Sequence, residues 1–133
     1  MKKIITLIAA VAAAMAVVSC SGKKVDITGT WNVDTLYGET VPETLNAPQV
    51  ILNEDMTYAG VTGVNNMMGA YTFADGAISF GEAALTKMMA DSVSVAVEEC
   101  YLKAIASAAT ASLENEVLTL KDAEGAVVMT LSK

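Results

Sequence analysis

The eleven residues Ala70-Tyr71-Thr72-Phe73-Ala74-Asp75-Gly76-Ala77-Ile78-Ser79-Phe80 decide the fold class. Two runs rich in aromatic and β-branched residues, Ala70 to Phe73 and Ala77 to Phe80, flank Asp75-Gly76. That dipeptide accepts the positive φ of a two-residue hairpin turn, so the stretch reads as a β-hairpin. The same grammar recurs outward in both directions. Gln49 to Asn53 and Thr57 to Val61 flank the polar turn Asn53-Glu54-Asp55-Met56, and Thr110 to Glu114 and Val117 to Lys121 flank Asn115-Glu116. Asp122 to Gly125 leads into a last run in which Val127, Met129 and Leu131 alternate. Thr30 to Leu36 alternates so that Trp31, Val33 and Thr35 share a face, closed by Tyr37-Gly38. Turn signals about every ten residues indicate an antiparallel unit of about eight strands.

One segment departs from this period. Val93, Val97, Tyr101, Ala104, Ile105 and Ala108 fall at spacings of three and four, with Glu98, Glu99 and Lys103 on the other side, the pattern of an amphipathic helix. Asp91 or Ser92 would cap it, and Glu99 and Lys103 form an i,i+4 pair. Ser92 to Val97 also alternates, so an extended first turn is compatible with the pattern. The expected fold is mainly β (α+β): a small antiparallel β-barrel-like sheet of about eight strands with one packed amphipathic helix.

The N-terminus has a different grammar. Lys2 and Lys3 precede an apolar run from Ile4 to Val18 interrupted only by Thr6, and Ser19-Cys20 follows. A membrane span needs about 20 apolar residues, and this run is shorter, which is the order of an export signal. Val17-Val18-Ser19-Cys20 resembles a bacterial lipobox, which implies lipidation of Cys20 and its exposure as the mature first residue. The chain thus divides into a lipoprotein signal peptide over 1–19, the lipidated cysteine and a short linker over 20–27, and one domain over 28–133. Ser21-Gly22-Lys23-Lys24 has no Asp next to the cysteine and no acidic run, so the expected location is the periplasmic face of an outer membrane.

Composition limits the chemistry. The 133 residues contain 8 basic side chains, all Lys, and no Arg or His, which excludes imidazole catalysis, histidine ligation and guanidinium clamps on phosphate. Without the leader, 6 Lys face 15 acids, a net charge of −9, so nucleic acid is not expected as a partner. With Cys20 lipidated, Cys100 has no internal disulfide partner, and its helical setting predicts a buried, inert thiol. Met67-Met68 and Met88-Met89 have the soft thioethers that suit Cu(I), but packing is the reading adopted for them. Glu54, Asp55, Asp75 and Asp122 sit in expected turns without the spacing of a calcium loop. No metal or cofactor is expected, and a glycosidase-type acid pair finds no run that joins two acids with aromatics.

Three segments in order are similar to the META domain family of HslJ-like bacterial lipoproteins. Gly29-Thr30-Trp31 opens a strand and is followed by Leu36, Gly38 and Val41-Pro42. Gly63-Val64-Asn65-Asn66-Met67-Met68-Gly69-Ala70-Tyr71 resembles the family's Gly-Cys-Asn-x-x-x-Gly-x-Tyr. Ile78-Ser79-Phe80, Leu85 to Met89, the helix and Leu118 to Asp122 with Gly125 complete the likeness. Val64 and Ala90 stand where many members carry cysteines; both are replaced together, so a bridge that the resemblance would imply is absent. Within the motif, Gly63, Asn65, Asn66, Gly69 and Tyr71 each have a role in turn chemistry, and a ligand-contacting loop is the competing reading. The resemblance implies a non-enzymatic envelope protein linked to heat or antibiotic stress. The alternative is a module on a lipocalin-like barrel that binds a small ligand or an envelope polypeptide. Sequence leaves the partner and the oligomeric state open.

Overall fold

A computed structural model describes residues 25–133; the expected leader, Cys20 and Ser21 to Lys24 lie outside the described residues. Nine strands and one helix follow in order: β1 (Gly29–Leu36), β2 (Glu39–Thr40), β3 (Gln49–Leu52), β4 (Thr57–Val61), β5 (Asn66–Ala74), β6 (Ala77–Leu85), α1 (Ser92–Ser107), β7 (Thr110–Glu114), β8 (Val117–Lys121) and β9 (Val127–Ser132). The expected hairpins form. Asp75 and Gly76 take φ of 51° and 84°, and Asn115 and Glu116 take 52° and 64°, the paired positive angles of a two-residue turn that twists with its strands. Tyr37 and Gly38, at 52° and 82°, turn the chain into β2 rather than ending the unit.

All strand pairs are antiparallel, in the order β2-β1-β3-β4-β5-β6-β7-β8-β9, and the sheet curls until β9 also pairs with β1. It does not close into a barrel, which corrects the barrel-like expectation. β6 and β7 share a single residue pair, Ala77 with Thr110, so the rest of the nine-residue β6 has no strand on that side among the described residues. The connection between β6 and β7 is the reason. It contains α1, which carries the chain back across the opening and packs Val97, Tyr101, Ala104 and Ile105 against the inner face.

That inner face is filled. Trp31, Tyr58, Tyr101, Leu52, Leu118, Leu120, Met129 and Leu131 are all fully buried, leaving the sheet interior as a packed core rather than a ligand chamber. The lipocalin-like alternative loses both its barrel and its cavity. Trp31 and Val33 point inward as the alternation requires, then a bulge between Val33 and Thr35 shifts the register and turns Leu36 inward. The Tyr101 hydroxyl donates to Gln49 O at 2.7 Å, and burial pushes its phenol far above the usual range.

α1 is helical from Ser92, which corrects the extended first turn, and Asp91 caps it by accepting the Ser94 amide at 3.0 Å. Its buried stripe runs Ser94, Val97, Tyr101, Ala104 and Ile105, so Val93 is turned outward. Cys100 is exposed on the flank, contrary to the expected buried thiol, because the stripe passes to one side of it. Lys103 extends its ammonium over the Tyr37 ring, 5.3 Å from the centroid.

Asp91 shares its chemistry with two other exposed aspartates. Hydrogen bonds from Ser94 hold the Asp91 carboxyl below its ordinary value, Thr28 does the same for Asp26, and Thr57 for Asp55. A carboxyl whose folded pKa is depressed contributes stability above its unfolded value, here 3.8, and loses it as pH falls through the folded value. The expected result is three carboxyl resonances with midpoints below 3.8 in a carbon-13 NMR titration and a melting temperature that drops across the same window. Midpoints at or above 3.8 would contradict it.

Candidate functional site

The strand directions put the Gly63–Tyr71 motif at one end of the sheet. Gly29 pairs with Leu52, whereas Gln49 pairs with Val61 and Val61 with Asn66. The turn Thr62 to Asn65 and the Leu85 end of β6 therefore lie at the opposite end from Gly29 and the residues that precede it.

Asn65 is the centre of this end. Only 5% exposed, it donates from Nδ2 to Glu98 Oε1 at 2.7 Å and accepts at Oδ1 from the Met88 amide at 2.6 Å and the Thr86 hydroxyl at 3.1 Å. Thr62, fully buried, donates its hydroxyl to the same Glu98 oxygen at 2.7 Å and accepts the Asn65 and Val64 amides. Thr86 Oγ1 also accepts the Asn66 amide at 3.0 Å. From the β2–β3 loop, Asn46 donates its side-chain amide to Val64 O and its backbone amide to Gly63 O, both at 3.0 Å. Leu45 donates its amide to Ser94 Oγ at 2.9 Å, and that hydroxyl donates to Asp91. Three loops and the first half of α1 are tied into one polar clasp. No buried side-chain nitrogen or oxygen lacks a partner among the described residues.

The other motif residues serve the same geometry. Gly63 has φ of +107°, and a Cβ there would come within 3.3 Å of Val97, so the turn can approach α1 only without a side chain. Gly69 lies opposite the β6 bulge, where a Cβ would meet Glu82 O and the Tyr58 ring at 2.9 Å each. Tyr71 is at the far end of β5, where its hydroxyl donates to Asn53 O at 3.0 Å and straps the β3–β4 turn. Burial, with Asp26 and Asp55 nearby, pushes its phenol up. Asn66 is exposed and outside the clasp's core. Val64, in the position of the family's first cysteine, is 1% exposed, and Ala90 is half-buried. Gly29 and Trp31 open β1, with Trp31 Nε1 donating to Ile27 O at 2.8 Å. Across β3 and β4 the register sets Gly29 level with Gly69 and Trp31 level with Met67, so of the expected residues Gly63 and Asn65 form the clasp and the others lie along the strands.

Sequence reasoning missed Glu98, Thr62, Thr86 and Ser94. Glu98 was placed on the polar face of the helix, where it would be solvated; instead it is half-buried and receives two donors. The methionine pairs also part company with packing. Met67 is 4% exposed, but Met68, Met88 and Met89 are 67%, 46% and 95% exposed. No group of three His, Cys, Asp or Glu side chains could hold a metal among the described residues. Two grooves border α1. One, of about 370 Å³, lies between Phe80 and Leu85 of β6 and Leu102 and Ile105 of α1; the other, of about 270 Å³, lies between Val41 and Pro42 and Val93 and Cys100. No helix among the described residues is long and apolar enough to cross a membrane.

A family model described as META domain matches residues 24–133. Solved structures agree in fold. A protein determined by NMR is 21% identical with a TM-score of 0.63, covering 78% of this chain and 87% of that one. An NMR structure from Burkholderia xenovorans is 20% identical with a TM-score of 0.62 over 78% and 80% of the two chains. A DUF4847 family protein from Bacteroides vulgatus is 14% identical with a TM-score of 0.59 over 79% and 92%. No curated protein matches this chain.

Proposed function

The chain belongs to the META domain family, whose members are non-catalytic folds, and from that premise we propose that it is a lipid-anchored cell-envelope protein that works through its surface. The observation that carries the anchoring is the leader ending in Val17-Val18-Ser19-Cys20, with Val25 separated from Cys20 only by Ser21 to Lys24. Acyl chains give about 0.8 kcal/mol per buried methylene, so several on one cysteine suffice to hold a domain at the membrane. The domain then stands next to the membrane with its Gly29 end innermost. Its role in this reading is to support the envelope under heat or antibiotic stress by contact with other envelope components.

Cys20→Ala tests the anchor. The variant is expected to lose acyl labelling and to move from the membrane pellet to the soluble fraction, with the inner and outer membranes separated by density for the native protein. Unchanged membrane association with no acyl label would overturn the proposal.

A further inference from the structure

β6 parts from β7 after one residue pair, Ala77 with Thr110, beside which the Ile78 amide donates to Ala109 O at 3.0 Å. From Ser79 to Leu85 no strand lies on that side among the described residues. Hydrogen bonds on the β5 side fix where the backbone of this stretch points. The Tyr71 amide donates to Met56 O, away from β6, so its cross-strand partner Phe80 turns its own N–H and C=O away from β5. Past the bulge, the Thr86 amide donates to Asn66 O, and alternation from that bonded pair turns Leu85 and Ala83 outward in the same way. The side chains of these three residues line the groove of about 370 Å³ whose other wall is Leu102 and Ile105 of α1. Phe80, Ala83 and Leu102 are only partly buried against the core, and Leu85 is 37% exposed. The core is thus incompletely covered along the one stretch of edge whose backbone is also unpaired.

We propose that this edge takes up an extended segment of another polypeptide as a further strand, apolar at alternate residues and carrying Lys or Arg. Main-chain bonds to Phe80, Ala83 and Leu85 hold the segment, and its alternate side chains enter the groove. The proposal rests on the reading that the protein works through its surface, and not on the lipid anchor. Two features select the occupant. Outward N–H and C=O groups at strand spacing are matched by another backbone, which neither an acyl chain nor a small apolar molecule provides. Glu82 is the one charged residue in the groove lining, and it is the middle residue of Ser79 to Leu85. A second copy pairing antiparallel over that stretch would set Glu82 against Glu82, which is destabilising, whereas Lys or Arg on another chain is attracted.

The test places a photoreactive amino acid at position 84 of the full-length protein in its own cells, and in a separate strain at 116, in the β7–β8 turn. Ala84 is exposed and lies outside the groove lining. The expected result is one protein adduct from 84 and none from 116, with a crosslinked peptide that alternates apolar residues and has Lys or Arg among them. A synthetic peptide of that sequence, added to the purified protein, is expected to slow amide exchange at Phe80, Ala83 and Leu85 about tenfold or more. Glu82→Lys and Ala83→Lys, which change the charge and the wall of the groove, are each expected to lower the adduct yield about tenfold. Glu82 is exposed, so Glu82→Lys should melt as the parent does, which separates lost docking from lost folding. An adduct to lipid or to a second copy, the same adduct from 116, no adduct from 84, or a bound peptide that leaves the three amides exchanging fast would overturn the proposal. Membrane fractionation of the same cells reads the anchor separately: a soluble protein that keeps the adduct sinks the anchor alone, and a membrane-bound protein without it sinks the edge alone.

Discussion

Trp31→Ala is expected to remove about 3 to 5 kcal/mol, a large part of the roughly 5 to 15 kcal/mol that holds a domain of this size. The indole is 1% exposed at the start of β1, and Lys133 sits over the ring with its ammonium 5.0 Å from the centroid. Truncation leaves a cavity in a core bounded by a curled sheet, which relaxes little because β1 is held by β3 on one side and β9 on the other. It also orphans Ile27 O, the acceptor for Nε1. Trp31→Phe separates the two effects: it retains most of the ring volume and should cost about 1 to 3 kcal/mol for the unpaired carbonyl. Denaturant unfolding followed by circular dichroism measures both, since the variants lose the chain's single Trp as a fluorescence probe. A loss below about 1 kcal/mol for Trp31→Ala would contradict the core assignment.

Asn65→Ala is expected to cost about 3 kcal/mol, because one truncation leaves several partners unpaired. The bond to Glu98 is charge-assisted and worth roughly 1.5 to 3 kcal/mol, and the Met88 amide adds about 1 more. Asn65→Asp keeps the acceptor for Met88 but sets a second carboxylate against Glu98. At neutral pH its stability deficit should therefore exceed that of Asn65→Ala. Melting temperatures at about pH 7 compare the two variants, and a smaller deficit for Asn65→Asp would mean that Glu98 does not face Asn65.

Local signals in the sequence were legible, and pairings between distant segments were not. Asp75-Gly76 and Asn115-Glu116 are read correctly because the turn constrains its own two residues. β2 escaped because two residues carry no alternation. The opening between β6 and β7 depends on where α1 brings the chain back, which no run of residues encodes. On α1, the stripe of Val93, Val97 and Tyr101 is one residue out at its start. Ser94, not Val93, faces inward, because its hydroxyl must meet the Leu45 amide 49 residues away in sequence. Cys100 lies beside this stripe and is exposed, and Glu98 meets Thr62 and Asn65. A serine and a glutamate look solvated to any hydropathy pattern, so the clasp was visible only at Asn65, through its likeness to the family motif. The exposed methionines follow from the clasp: Met88 gives its amide to Asn65, and that fixes its side chain outward with Met89.

The central claim is that the Asn65 side chain ties its own turn and the connection after β6 to α1. Backbone hydrogen exchange of residues 25–133, in the native sequence and in Asn65→Ala, tests it most directly. The expected result is slow exchange at Met88 and Leu45 in the native protein, fast exchange at Met88 in the variant, and sheet amides of β3 and β4 that stay slow in both. Fast exchange at Met88 and Leu45 in the native protein, or a Met88 amide indifferent to Asn65→Ala, would contradict it.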